Sequence, residues 1–404
     1  MSSIQQPSKP LTGPLSDLRQ PTLASALQQP HLAGLDALRA VAVLLVLIDH
    51  SGLTNFGTLR VLYGGLGVEI FFVLSGFLIT WLLLGEADRH GRIDLGAFYW
   101  RRATRLLPAM LVYLVVGALL LLAMGKPLPW AAITAYALYA MNYYQGLTGA
   151  EPHYLSHAWS LAVEEQFYLL WPALLIVLLR RGWSLRRSLA GLILSLWAVK
   201  AVWVLVLGVG DDYLYRALET RADQLFMGCL LAVVLRSGDR WHAVFDTLAR
   251  HRWLAGALVL ALLATTALLQ ADVTTKYLIG YAVEPLLIAV LLPLVLVEAR
   301  RAGWVARAIN APVVVLIGQV SYGIYLYHPF LIHPVRNAVL RLTGSMPLAV
   351  GLSLLLVLAV AWASFRWIET PLRHHLNGKL SRGATPTRHG SPQTSEMPEG
   401  MRAA

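Results

Sequence analysis

Apolar residues in this chain gather in long blocks rather than in short alternations. The stretches 106–123, 253–269 and 278–297 each approach the roughly 20 residues that a helix needs to cross a bilayer. Backbone amides in such a block find no water, so a helix, which bonds them internally, is the expected form. The alternating strands of a transmembrane barrel are missing from the pattern. The reading is therefore an all-α fold, a polytopic transmembrane helical bundle of about ten spans. They are placed near 35–51, 62–84, 106–123, 158–179, 188–208, 222–235, 253–270, 277–297, 312–330 and 346–367.

Polar positions between the blocks set the orientation. Arg89, Arg92, Arg101, Arg102 and Arg105 follow the second span, and Arg180, Arg181, Arg186 and Arg187 follow the fourth. Arg236, Arg240, Arg250 and Arg252 follow the sixth, and Arg300, Arg301 and Arg307 follow the eighth. Basic loops face the cytoplasm. All four share one side if the segment 130–142, short and preceded by Pro127 and Pro129, is re-entrant or interfacial. Both termini are then expected in the cytoplasm. Residues 1–34 lack a cationic start followed by an apolar stretch, so they read as a flexible arm rather than a signal peptide. Residues 35–375 form one membrane domain, with no soluble domain expected after it. Residues 376–404, rich in Gly, Ser, Thr, Pro and Arg, read as a disordered tail.

Composition agrees with the pattern. The 404 residues are 57% hydrophobic and 14% charged, against about 25% charged in soluble domains. The net charge of +11 reads as positive-inside bias and contact with anionic membrane lipids. No basic face on a soluble domain suggests a nucleic-acid partner. The one cysteine, Cys229, lies in an apolar run and reads as a buried structural thiol.

Ionisable groups inside spans are costly and point to function or to internal pairing. At 100° per residue, Arg39 and His50 share a helix face, with Asp36 about 40° away. An Asp36–Arg39 pair with an interfacial His50 is the plain alternative to a site. Glu69, amid the glycines of 64–77 and before Ser75, wants a partner such as Arg39 or His50. Arg102 and Arg105, three apart, could bind phosphates with guanidinium forks or simply supply positive-inside charge. His157, Trp159, Ser160, Glu164 and Glu165 open the fourth span, with Ser160 and Glu164 spaced to hydrogen-bond. Arg221 and Asp223 could pair with each other. Ser321, Tyr325 and His328 fall on one face of the ninth span, with Tyr322 beside them. His50, His157 and His328 lie on three spans without a close-spaced ligand pair, so no metal is expected.

Taken in order, these segments resemble acyltransferase family 3, the bacterial membrane acyltransferases of surface sugars and glycolipids. The resemblance covers about 35–373 and rests on Arg39 before His50, the 67–77 stretch, Arg102 with Arg105, the 159–168 stretch, and 321–328. The chain departs from the family pattern at Ala37 and Ala40 (usually Gly), Glu69 (usually Asp), Asp49 (usually apolar or aromatic) and Tyr327 (usually Trp). Some members carry a fused extracytoplasmic esterase-like domain, which is not expected here. Transfer would then be completed by the membrane domain or by a separate protein.

The resemblance implies an O-acetyltransferase of the bacterial inner membrane. The donor would be acyl-CoA, most often acetyl-CoA, with its phosphates at Arg102 and Arg105. The acceptor would be a sugar hydroxyl of a surface polysaccharide, exopolysaccharide, lipopolysaccharide or lipid-linked glycan. His50 would be the general base, with Arg39, Glu69 and the Ser321 region orienting it or lining the acyl path. A secondary transporter or flippase using the buried acids and histidines is the competing class.

Overall fold

Helices follow the apolar blocks. The computed structural model describes residues 21–29, 31–32, 34–53, 62–151, 154–269 and 272–383, and every regular element among them is helical. The first helix, α1 (Leu23–Leu27), starts at a Thr22–Ser25 capping box and buries Leu23, Ala26 and Leu27. Asp246 accepts from the Leu23 amide at 2.7 Å. The packed body thus begins ahead of Leu35, within the segment expected to be a flexible arm. Residues 1–20 of that arm lie outside the described residues.

Two antiparallel helices, α2 (Leu35–His50) and α3 (Gly64–His90), form the centre. Gly91, at φ 66°, closes α3, and Asp94 caps α4 (Leu95–Ala123) by accepting from the Ala97 amide at 2.9 Å. The segment read as non-spanning contains α5 (Trp130–Ala137) and the start of α6 (Met141–Thr148). Eight residues give each about 12 Å, too short to cross.

The chain continues through α7 (Ala158–Arg180), α8 (Leu185–Leu205), the short α9 (Asp211–Arg216) and α10 (Leu218–Arg236). Next, α11 (Asp239–Arg250) and α12 (Arg252–Leu269) meet at a bend of 88°. A short α13 (Val273–Thr275), a π-helical turn at Lys276–Gly280 and α14 (Tyr281–Glu298) run on as one apolar segment. After α15 (Trp304–Ile309), α16 (Pro312–Gln319) and α17 (Ser321–Thr343) meet at 74°. The chain then runs through α18 (Met346–Ser364), a second π-helical turn at Phe365–Glu369 and α19 (Thr370–Gly383). The last helix reaches into the segment read as a tail from 376 on, and residues 384–404 lie outside the described residues.

Among the described residues, six helical segments are long and apolar enough to cross a membrane, or eight if each bent pair is one span. Over the described residues the protein is thus all-helical, an integral membrane protein with six to eight candidate spans. Two segments read as spans fall outside that set. Helix α2 has 16 residues, and α10 carries Glu219, Arg221 and Asp223 in its first turns. The segment read as a straight span at 312–330 is instead broken at Val320 between α16 and α17.

Burial separates the inner helices from the outer ones. The apolar window of α3 is 67% buried, whereas that of α8 is 17% buried and leaves most of its apolar side chains uncovered by the rest of the protein. The centre closes through glycine. A Cβ on Gly76 would stand 1.8 Å from the Leu225 carbonyl oxygen, and one on Gly228 would stand 2.1 Å from that of Val73. Two glycines facing opposite ways thus let α3 and α10 touch backbone to backbone. Cys229 is fully buried beside this crossing.

Candidate active site

The basic end of the bundle is built around the turn between α3 and α4. Arg101 pairs with Glu86 at 3.2 Å, and Glu86 also accepts from the Asp94 amide at 2.8 Å. Further down α4, Arg102 makes a forked pair with Glu165 of α7. Its Nε is 3.0 and 3.2 Å, and its Nη2 2.5 Å, from the carboxylate oxygens. Its guanidinium also lies 3.2 Å from the centroid of the Tyr168 ring. Arg105, one turn on, has no ion pair among the described residues and is exposed.

Arg102 and Arg105 line two adjoining spaces. The outer one is a vestibule of about 890 Å³, also bordered by Arg89, Arg92, Arg101 and Arg373. The inner one is a cavity of about 150 Å³ lined by α2, α3, α4, α7 and α17. Arg39, Ser75, Glu164, Ser321 and Tyr322 supply polar atoms to it, between apolar walls that include Phe71, Phe72 and Leu106. Arg39 is held by Asp36 at 2.7 Å, so the plain alternative for that pair is realised while the side chain still borders the cavity. Tyr322 donates to the Leu106 carbonyl at 3.2 Å.

Ser160 and Tyr325 form the inner end of the cavity. Their hydroxyls are 2.6 Å apart, and Tyr325 donates to the His157 carbonyl at 2.9 Å. The expected Ser160–Glu164 bond does not form. Helix rotation sends Ser160 toward α17 and Glu164 toward α3, where Ser75 donates to it at 2.9 Å.

Three histidines meet behind this partition. The ring of His328 lies 4.7 Å from that of His50 and 5.3 Å from that of His157, both edge to face. The sequence left them on separate spans, and the fold brings them together. They do not form a metal-ligand group: among the described residues, no set of three His, Cys, Asp or Glu is arranged to hold a metal ion. The local bonds fix two tautomers. His50 Nδ1 is 2.9 Å from the Val46 carbonyl, and His328 Nδ1 is 2.7 Å from that of Tyr325. A carbonyl only accepts, so each Nδ1 carries a hydrogen, and in the neutral ring Nε2 is the nitrogen with the lone pair. His50 is half-buried, whereas His157 and His328 are buried.

Glu69 belongs to a different cluster. It faces Arg221 of α10 at 3.9 Å rather than Arg39 or His50, because α3 turns it toward α10 and α14. Asp223 does not pair with Arg221. It accepts from Lys200 and from the Trp197 indole, each at 2.8 Å. Arg221 is fully buried, 4.0 Å from the Tyr281 ring centroid and 5.7 Å from those of Phe72 and Trp159. Phe72, which also lines the cavity, thus stands between this cluster and the cavity. Lys200 and Glu284, both fully buried, were missed in the sequence. Each is an ionisable residue inside an apolar run, which is the signal that would have found it.

The model of a family described as an acyltransferase domain matches residues 32–366. The chain belongs to acyltransferase family 3. It is 31% identical over 367 residues to the peptidoglycan O-acetyltransferase OatA of Listeria monocytogenes, covering 85% of this chain and 56% of that protein. It is 32% identical over 364 residues to the O-acetyltransferase OatA of Staphylococcus aureus, covering 85% of this chain and 57% of that protein. The chain therefore spans little more than half the length of these relatives. No solved structure matches it. The family match includes every residue of the cavity and of the histidine group, while Arg373 of the vestibule lies just beyond it.

Proposed function

We propose that the protein is a membrane O-acyltransferase that carries an acyl group, acetyl foremost, from acyl-CoA to a hydroxyl of a surface carbohydrate. One observation carries this reading. An arginine-lined vestibule and a polar cavity share Ile79, Leu82, Arg102 and Arg105 in their walls, and the cavity's Tyr325 stands 5.6 Å, ring to ring, from two of three clustered histidines. Phosphates would sit among the arginines and the thioester would reach inward. His50, partly accessible, takes the proton of the attacking hydroxyl at Nε2. The hydroxyl oxygen bonds to the thioester carbonyl carbon, the carbon–sulfur bond breaks, and the proton passes from His50 to the departing thiolate or to solvent. No metal and no covalent acyl-enzyme is required by this sequence of bonds.

The basic end is assigned to the cytoplasm by the positive-inside rule, in the bacterial inner membrane. The acceptor would be a glycan at the cell surface. The name of the Listeria relative adds peptidoglycan to the polysaccharide and lipopolysaccharide acceptors considered from the sequence.

The test is the ester-linked acetyl content of isolated surface glycans from cells lacking the gene. These cells are complemented with wild type or with equally expressed His50→Ala. Restoration by wild type alone supports the enzyme and the base together, and the modified sugar names the acceptor. Restoration by both overturns the base assignment. Restoration by neither turns attention to transport.

A further inference from the structure

The two arginines expected to act alike do not have the same freedom. Arg102 has spent Nε and Nη2 on Glu165 and one face on Tyr168. Arg105, Arg89, Arg92 and Arg373 border the same vestibule and carry no ion pair among the described residues. The two acids in its wall are occupied. Glu86 is held by Arg101, and Asp94 caps the amide of Ala97. Six arginines and two carboxylates leave the wall with a net of four positive charges, counting His90 as neutral.

These cations come from three places in the chain. Arg89 and Arg92 flank the left-handed turn at Gly91, Arg105 lies on the third turn of α4, and Arg373 lies in α19. Arg105 is about 15 Å along the helix from the start of α4, so the charge is spread from mouth to throat rather than gathered at a point. A single small anion needs no such length. A ligand with well-separated phosphates would engage all of it, and forked guanidinium donors suit phosphate oxygens.

We infer that the vestibule is a polyphosphate site whose binding cations are Arg89, Arg92, Arg105 and Arg373, and that Arg102 is a positioning residue locked by Glu165. This rests on the acyl-CoA reading. It adds that the donor is recognised by its nucleotide end as well as by its thioester. An acyl-CoA carries a diphosphate bridge and a separate 3′-phosphate, so removing the 3′-phosphate should be felt.

The experiment measures binding of CoA, 3′-dephospho-CoA and pantetheine to the full chain in nanodiscs of phosphatidylcholine, with and without phosphatidylglycerol. Wild type should bind CoA at least tenfold more tightly than 3′-dephospho-CoA, and pantetheine more weakly still. Arg373→Gln and Arg89→Gln should narrow the difference between the two nucleotides, while Arg373→Lys retains part of it. Arg102→Gln and Glu165→Gln should keep the ratio of the two affinities while lowering kcat. That split separates a positioning role from a purely structural one.

Equal affinity for CoA and 3′-dephospho-CoA overturns the inference while leaving the donor reading intact. No binding of any CoA form by a preparation that still acetylates glycans overturns the donor reading itself. Variant effects that appear only as changed dependence on phosphatidylglycerol assign the cluster to lipid headgroups and overturn the inference.

Discussion

The rings of His50 and His328 meet edge to face with centroids 4.7 Å apart, and each ring donates Nδ1–H to a carbonyl of its own helix. In the neutral rings Nε2 is therefore the nitrogen of each that can accept a proton. When His50 takes a proton, His328 is the nearest neutral imidazole that can share it.

His328→Gln should accordingly lower kcat about tenfold, a barrier change of about 1.4 kcal/mol, with KM for the donor unchanged. Steady-state transfer to a soluble acceptor analogue measures both. His50→Ala should cost on the order of 100-fold or more in the same assay. An unaltered kcat for the Gln variant would reduce His328 to a packing residue.

Tyr325→Phe removes one hydroxyl that bonds both Ser160 and the His157 carbonyl. The partition between cavity and histidines then loses its polar tie, at a cost of about 1 kcal/mol in positioning. The expected result is a several-fold fall in kcat with normal thermal stability. A variant that instead loses stability and keeps its specific activity would show that the tie serves only the fold.

Glu69 and Arg221 are 1% and 0% exposed at the side chain and face each other at 3.9 Å. Glu69→Gln should destabilise the protein by about 1–3 kcal/mol, because it takes a carboxylate from a buried guanidinium while the buried Glu284, which interacts with position 69, remains. Adding Arg221→Met should recover much of that loss. Thermal unfolding in detergent, followed by fluorescence, reads both steps. Selective loss of transfer with full stability would instead return Glu69 to the reaction.

Gly76→Ala places a methyl group where the Leu225 carbonyl oxygen already lies. The α3–α10 crossing must open, with a cost of about 1–3 kcal/mol. Gly91→Ala meets no neighbouring atom but sits at φ 66°, so its smaller cost is one of backbone conformation. The first variant should melt well below the second, and equal melting temperatures would contradict the close crossing.

The main helices and their order were legible in the sequence. Apolar blocks of near-bilayer length dictate helices through local backbone chemistry. That is why all ten segments read as spans are helical over most of their length. The break at Val320 is the exception: Gly318, Gln319 and Ser321 interrupt the apolar run there, but a span tolerates such residues when its neighbours satisfy them, so the sequence alone does not distinguish a bend from a straight helix. The family was legible too, since its marks are short motifs on single helices, and the match over 32–366 bears it out.

Partner choice was decided by tertiary structure alone. Glu69 could have faced Arg39, His50 or Arg221, and only the rotation of α3 against α10, set by Gly76 and Gly228, selects the last. Spacing made Arg102 and Arg105 equivalent, and Glu165 and Tyr168 on α7 separate them. The three histidines lie on separate helices, and their meeting depends on how those helices pack. Sequence periodicity fixes which residues share a face of one helix, but not which face of another helix they will meet.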